Sequence, residues 1–112
     1  MSLSDEQYRF IQDLTLLFEF CIEHKIKLTG GELYRTKDQQ ELYFSAGKSK
    51  TMNSNHLKKL AIDLNFWIDR KLTYKKSKLQ FIGDYWESLS ENNRWGGNYK
   101  SFRDTPHFER VV

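Results

Sequence analysis

The sequence has few of the features that mark disulfide-rich, membrane-spanning or exported proteins. Its 112 residues include one cysteine, Cys21, which excludes an intrachain disulfide and a four-cysteine metal site. No apolar run approaches the roughly 18 residues of a membrane-spanning helix. Residues 1–7 lack the basic and apolar regions of a signal peptide. We therefore expect a protein that spans no membrane, is made in the cytoplasm and is not exported through a signal peptide.

The sequence also lacks a strong charge and a complete phosphate-binding loop. A formal net charge of +3 is small and is more often a solubility feature than the sign of an anionic partner. The triplet Gly47-Lys48-Ser49 matches the end of a phosphate loop, but position 42, where an earlier glycine is needed, is Leu42. Basic residues are spread among acidic ones, so we expect no nucleic-acid partner.

What the sequence does contain is a globular composition, with 38% hydrophobic, 15% aromatic and 29% charged residues. A chain of this length forms one domain with a modest core, which we assign to residues 1–112. Apolar periodicity predicts an α+β fold. The expected elements are a helix over 5–24 capped by Ser4, a strand over 25–28, a helix after Thr36, strands over 60–68 and 72–74, a helix over 76–90 and a strand over 106–112.

Two stretches combine imidazoles with carboxylates: residues 54–64, with His56 and Asp63, and residues 104–109, with His107. These groups ligate a borderline-soft divalent metal such as zinc. His56 and Asp63 are seven residues apart, a step that separates them by about 10 Å along a helix and sends them to opposite faces of a strand. They can meet at one metal only if His56 lies in a loop that folds back beside a strand carrying Asp63.

The residues around Asp63 allow that arrangement. Three aliphatic residues alternate with it, which puts Asp63 on the opposite face of the strand: Leu60, Ile62 and Leu64. A carboxylate buried without a partner costs several kcal/mol. A metal would satisfy it, and so would a structural salt bridge to Arg35 or Lys59.

Five motifs resemble those of the peptidase M15 family. They are Tyr-Arg-Thr-x-x-x-Gln at 34–40, Ser-x-His at 54–56, Ala-x-Asp at 61–63, Trp-Gly-Gly at 95–97 and Phe-x-Asp-x-Pro-His-Phe-Glu at 102–109. Within the family, the sequence is most similar to the L-alanyl-D-glutamate endopeptidases of bacteriophage endolysins. One position departs from the pattern: Lys59 stands where the family often has glycine.

The resemblance implies a small α+β domain of the Hedgehog/DD-peptidase type, with a central antiparallel sheet flanked by helices and one catalytic zinc. By the match of motifs, His56, Asp63 and His107 correspond to the metal ligands, and Asp104 to the catalytic base. Two further residues correspond to substrate-binding groups, Arg35 near the scissile carbonyl and Ser54 as a binding or supporting hydroxyl. Three protein ligands leave a fourth zinc position for water, the pattern of a catalytic site.

The expected activity is therefore hydrolysis of an amide bond in the peptide stem of bacterial peptidoglycan, by a monomer that a holin would let out to the cell wall. The alternatives are a D-alanyl-D-alanine carboxypeptidase or dipeptidase, and a non-catalytic domain that binds zinc or nucleic acid.

Four other residues are expected to support the site or the core around it. Gln39 and Tyr43 are expected to support the Arg35 loop, Glu109 either orients an imidazole or lies exposed, and Trp95 lines the cleft or packs in the core.

Overall fold

The computed structural model describes residues 1–49 and 51–112. These residues form three α-helices: α1 (Leu3–Glu23), α2 (Lys37–Ser45) and α3 (Lys76–Ser88). They also form five strands: β1 (Lys27–Gly30), β2 (Ala61–Ile68), β3 (Lys71–Thr73), β4 (Asn93–Trp95) and β5 (His107–Arg110). None of the described helices combines the length and apolar character needed to cross a membrane.

The strands form one antiparallel sheet in the order β1-β2-β5-β4, and β3 also pairs with β2. The central strand β2 uses one edge for β1. Along its other edge it pairs first with β5 and then, near its end, with β3. The α+β fold with a central antiparallel sheet is therefore confirmed.

Helices α1 and α3 pack on one face of the sheet and bury the core there. Their apolar residues recur at helical spacing, and those of β2 alternate, so each element presents one apolar side. Each large side chain fully buried in this way contributes about 1.5–3 kcal/mol. The core consists of Phe10, Leu14, Leu17, Cys21, Leu60, Ile62, Leu64, Phe66, Leu79, Ile82, Trp86, Trp95 and Phe108.

Two predictions about local structure differ from the structure. Helix α1 is capped by Ser2, which forms a capping box with Asp5, rather than by Ser4. Ser2 and Ser4 each stand three residues before a side chain that can complete a capping box, Asp5 and Gln7 respectively. The structure uses the first of these two pairs. Strand β4 was not predicted, because three residues are too few to show an alternating pattern.

Candidate metal centre

His56 lies in a short 3-10 turn (Asn55–Lys58) that precedes β2. Ser54 caps this turn, since its hydroxyl accepts a hydrogen bond from the backbone N–H of His56 at 3.2 Å. Lys59 then takes the left-handed conformation, with φ 57° and ψ 38°, and reverses the chain into the strand. The turn therefore brings His56 back beside Asp63, in the arrangement that the seven-residue spacing required.

Asp63 and His107 are direct partners across β2 and β5. On the other edge of β2, the backbone N–H of Asp63 donates to the carbonyl of Glu32 at 2.9 Å, and its carbonyl accepts from Gly31 at 2.7 Å. Asp63 and His107 therefore form a pair without mutual backbone hydrogen bonds, the kind whose side chains approach most closely in an antiparallel sheet.

Three side chains converge at this point, each offering one ligand atom, and these atoms lie within 4.8 Å of one another: His56, Asp63 and His107. Oδ1 of Asp63 is 3.5 Å from Nε2 of His56 and 3.7 Å from Nδ1 of His107. Two ligands placed about 2.0–2.1 Å from one tetrahedral zinc lie about 3.3 Å apart. The spacing of the three groups therefore suits a shared divalent metal.

The outer nitrogen of each imidazole is held by an acceptor. Nδ1 of His56 donates to the carbonyl of Leu33 at 3.0 Å, and Nε2 of His107 donates to Oε1 of Glu109 at 2.7 Å. Once those hydrogen bonds are made, the other nitrogen of each ring faces Asp63, and it can ligate a metal when it carries no proton. Nε2 of His56 is buried and has no hydrogen-bond partner among the residues that the structure describes.

Asp63 and His107 shift each other's pKa values in opposite directions. Burial alone would raise the pKa of Asp63, but the His107 and His56 imidazoles outweigh it and hold that pKa well below its usual range. Burial would likewise lower the pKa of His107, but Asp63 and Glu109 raise it to about 9. The proposed salt bridge from Asp63 to Arg35 or Lys59 is not what satisfies this carboxylate, because it pairs with the two histidines.

Asp104 lies beside this cluster, in the loop between β4 and β5. Its backbone N–H donates to the carbonyl of Gly96 at 3.0 Å, and its own carbonyl accepts from the N–H of His107 at 3.1 Å. A Cβ at position 96 would lie 2.1 Å from that carbonyl oxygen, so only glycine permits this approach. Trp95, which is fully buried and belongs to the core, supports the loop by donating to the carbonyl of Thr105 at 2.8 Å.

The pKa of the Asp104 carboxyl is shifted in the opposite direction from that of Asp63. Burial raises the pKa of Asp104, the positive charge of His107 opposes this effect and the negative charge of Asp63 adds to it. A carboxyl with a raised pKa is suited to accept and return a proton near neutral pH.

Arg35 is held by a set of neighbours at the edge of the cluster. Its Nε donates to Glu32 at 2.6 Å, and its NH1 donates to Gln40 at 2.6 Å and to Ser54 at 3.4 Å. The guanidinium also lies over the ring of Tyr43, at 4.6 Å from the ring centroid. These three hydrogen bonds and the ring contact fix the planar guanidinium in one orientation.

The glutamine that bonds to the side chain of Arg35 is Gln40 and not Gln39, so the expectation for Gln39 was wrong. Gln40 is fully buried and also bonds to Ser49, whereas Gln39 contributes its backbone N–H to the cap of α2 at Thr36. The sequence did contain a signal, because the glutamine of the 34–40 motif is Gln40. The expectation for Tyr43 is confirmed by its contact with Arg35.

Sequence reasoning missed Glu32 and Tyr99. Glu32 forms the ion pair with Arg35 and accepts a hydrogen bond from Tyr43 at 3.2 Å. Tyr99 lines the same cleft as Glu109, and its pKa is raised by burial and by that carboxylate. Glu109 orients His107, which settles its open role in favour of the site. Neither Glu32 nor Tyr99 belongs to an apolar pattern or stands beside a predicted ligand in the sequence.

A cleft of about 330 Å³ opens over these groups. Five of the six residues singled out from the sequence line it: Arg35, Ser54, His56, Asp104 and His107. The sixth, Asp63, lines an adjoining cleft of about 290 Å³, and both clefts share Arg35, Lys48 and Asp104. The structure therefore brings all six residues to one surface.

Comparisons with known proteins agree with this arrangement. The M15 peptidase family model described as D-alanyl-D-alanine carboxypeptidase matches residues 47–110, which is more than half of the chain. Among solved structures, the L-Ala D-Glu endopeptidase ChiX of Serratia marcescens has a similar fold, with a TM-score of 0.75 at 20% identity over 92% of this chain and 78% of that one. No curated protein sequence gives a significant match. The family match shows that the chain belongs to the M15 peptidases.

Proposed function

We propose that this protein is a zinc-dependent endopeptidase that cuts the L-alanyl-D-glutamate bond in the peptide stem of peptidoglycan. The observation that carries the proposal is the convergence of His56, Asp63 and His107, with the buried Nε2 of His56 lacking any other partner in the described part of the chain. Membership of a peptidase family and a fold shared with an L-Ala D-Glu endopeptidase support the reaction class and the substrate.

The three residues fit a zinc ion. Two imidazole nitrogens and one carboxylate oxygen are ligands that zinc prefers, and three of them leave a position open, as catalytic sites require. The hydrogen bonds from His56 to Leu33 and from His107 to Glu109 hold the rings for ligation. When bound at such a site, zinc lowers the pKa of a water to about 7 and polarises a carbonyl.

Asp104 is the proposed general base. It lines the same cleft as His56 and His107 but is not one of the three converging ligands. In this role the carboxylate takes the proton of the attacking water and gives it to the nitrogen of the leaving amine. Proton transfer of this kind typically contributes about 10²–10⁴-fold to the rate.

Arg35 and Ser54 are the proposed substrate-binding groups. Arg35 lines the cleft with its guanidinium fixed by Glu32 and Gln40, so it can donate to the carbonyl oxygen as negative charge develops there. Ser54 shares a hydrogen bond with Arg35 and also caps the turn that carries His56. A change at Ser54 is therefore expected to affect both substrate binding and the position of a ligand.

A D-alanyl-D-alanine carboxypeptidase is the second candidate, because the matching family model carries that description. The two candidates differ in the product. The endopeptidase creates a new amino terminus on D-glutamate within the stem, whereas the carboxypeptidase releases free D-alanine.

The experiment that tests the proposal incubates the zinc-loaded protein with intact sacculi and with a synthetic pentapeptide stem ending in D-Ala-D-Ala, followed by mass spectrometry of the products. Cleavage between L-alanine and D-glutamate supports the endopeptidase, and release of D-alanine alone overturns it in favour of the carboxypeptidase. Asp104→Asn, which keeps the size of the side chain, serves as the control for contaminating hydrolases.

The biological setting follows as part of the same proposal. We infer that the protein acts as a monomeric endolysin that is made in the cytoplasm and reaches the cell wall after a holin has permeabilised the membrane. Addition of the pure protein to cells with a permeabilised outer membrane should then cause lysis, and intact cells should resist it.

A further inference from the structure

Lys48 stands at the junction of the two clefts of the candidate site. It lines both of them, together with Arg35 and Asp104. Its side chain is exposed and forms no ion pair or hydrogen bond with any residue in the described ranges 1–49 and 51–112. The cleft thus contains an ammonium group that forms no ion pair with any carboxylate in the described part of the chain.

Arg35, the other permanent cation that lines these clefts, differs from Lys48 because it already has an ionic partner. Its guanidinium forms an ion pair with Glu32, and its side chain is only 10% exposed. It is also bonded to Gln40 and Ser54. Because its charge is already balanced, Arg35 can serve as a fixed donor to a neutral carbonyl, while Lys48 is available for a substrate anion.

The backbone fixes where Lys48 lies. Gly47, with φ +76°, ends helix α2 in the left-handed conformation, and the N–H of Lys48 bonds to the carbonyl of Tyr43 at 2.9 Å. The next residue, Ser49, accepts a hydrogen bond from Gln40 at 2.8 Å. Lys48 is thus held on both sides by the group of residues that also holds Arg35.

The proposed substrate carries an anion close to the scissile bond. In a stem peptide the chain continues through the γ-carboxyl of D-glutamate, so the α-carboxylate on the carbon next to the scissile nitrogen stays free. We propose that Lys48 binds this α-carboxylate and makes the enzyme selective for D-glutamate over its α-amidated form, D-isoglutamine. This inference rests on the proposed endopeptidase function and names a specificity residue for it.

The test compares kcat/KM of the zinc-loaded protein on two stem peptides that differ only in the α-carboxylate or α-amide of that residue. We expect the wild type to prefer the carboxylate by about tenfold, the effect of one hydrogen bond to a charged group. Lys48→Ala should abolish the preference, mainly through a higher KM for the carboxylate peptide. Lys37→Ala, which removes the same charge from the exposed first residue of α2, should preserve it.

Two results would overturn the assignment of Lys48 while the endopeptidase function stands. One is a preference for the carboxylate that survives Lys48→Ala, and the other is an equal loss of kcat/KM on both peptides in that variant. A preference lost in Arg103→Ala instead would assign the carboxylate to the neighbouring cleft, which Arg103 lines with Tyr74. If the wild type cuts neither peptide between L-alanine and D-glutamate, the proposed function itself fails and Lys48 loses its assignment with it.

Discussion

Glu109 accepts a hydrogen bond of 2.7 Å from Nε2 of His107, two residues earlier on β5. The two side chains share one face of the strand because side-chain direction repeats every two residues. The contact leaves Nδ1 of His107 facing Asp63, which is the orientation that ligation needs. Burial would raise the pKa of Glu109, but His107 and, to a smaller extent, Asn55 and Tyr99 hold that pKa below its usual value.

Removal of Glu109 is predicted to weaken metal binding without removing a ligand. Glu109→Ala frees the His107 ring, and loss of such an outer partner typically costs 10–100-fold in metal affinity. Competition with a chromogenic chelator measures this. Glu91→Ala removes an exposed carboxylate elsewhere and should leave the affinity unchanged. Equal affinities for Glu109→Ala and the wild type would show that the contact does not orient His107.

Metal binding is predicted to strengthen with rising pH. The pKa of His107 in the metal-free protein is about 9, so below that pH a metal must displace a proton from its ring. Release of one proton strengthens binding by up to about tenfold per pH unit. Zinc titrations at pH 6.5, 7.5 and 8.5 test this. An affinity that is constant over the range contradicts the assignment of His107 as a ligand.

The stability of the metal-free protein is predicted to change with pH in the opposite direction. Since the pKa of His107 is raised above its usual 6.5, its stabilising contribution is complete below pH 6.5 and is lost as the pH rises through about 9. The midpoint of thermal unfolding should therefore fall over this range without metal and should not fall when zinc is bound. Parallel curves for the two forms would argue against this linkage.

Gly96→Ala is predicted to damage the site through the loop of Asp104. The new Cβ would lie 2.1 Å from the carbonyl oxygen of Asp104 and 3.0 Å from Cβ of His107, so the loop must move. We expect a loss of about 1–3 kcal/mol in stability, and a fall of roughly 100-fold in kcat/KM from a displacement near 1 Å. Gly30→Ala is the matched control, because nothing lies within 4 Å of its added Cβ.

Lys59→Gly is predicted to stabilise the protein. Lys59 has a φ of 57°, a conformation that costs a residue with a Cβ roughly 1 kcal/mol and glycine nothing. The gain is reduced by the greater freedom of glycine in the unfolded chain and by loss of a contact between its ammonium and the ring of Tyr34. Urea denaturation should show a net gain of about 0.5 kcal/mol. Lys59→Ala keeps the strain and should show none.

The position of Asp63 could be predicted from the sequence, because the alternation of Leu60, Ile62 and Leu64 decides which face of β2 each residue occupies. The turn at His56 followed from the same reasoning, since no single helix or strand brings it to Asp63. These predictions depend on short-range periodicity, which local sequence determines.

Other features depend on how the elements meet in three dimensions. The motif at 34–40 points to Gln40, but the rotation of α2 relative to the loop, which sets the pairing of Gln40 with Arg35, is not fixed by the short sequence of that helix. Glu32 reaches the site because the two residues that follow β1, Gly31 and Glu32, remain hydrogen-bonded to the backbone of Asp63. The left-handed conformation of Lys59 is imposed by the meeting of the turn and the strand, against the preference of lysine.

The central claim is that His56, Asp63 and His107 hold one zinc ion and that Asp104 is the base beside it. The most direct measurement is zinc content together with stem-peptide hydrolysis on the same preparations of the wild type, Asp104→Asn and His56→Ala. We predict one zinc per chain in the wild type and in Asp104→Asn, hydrolysis by the wild type alone, and neither property in His56→Ala. A folded wild type that binds no metal after reconstitution, or an Asp104→Asn variant with full activity, would contradict the claim.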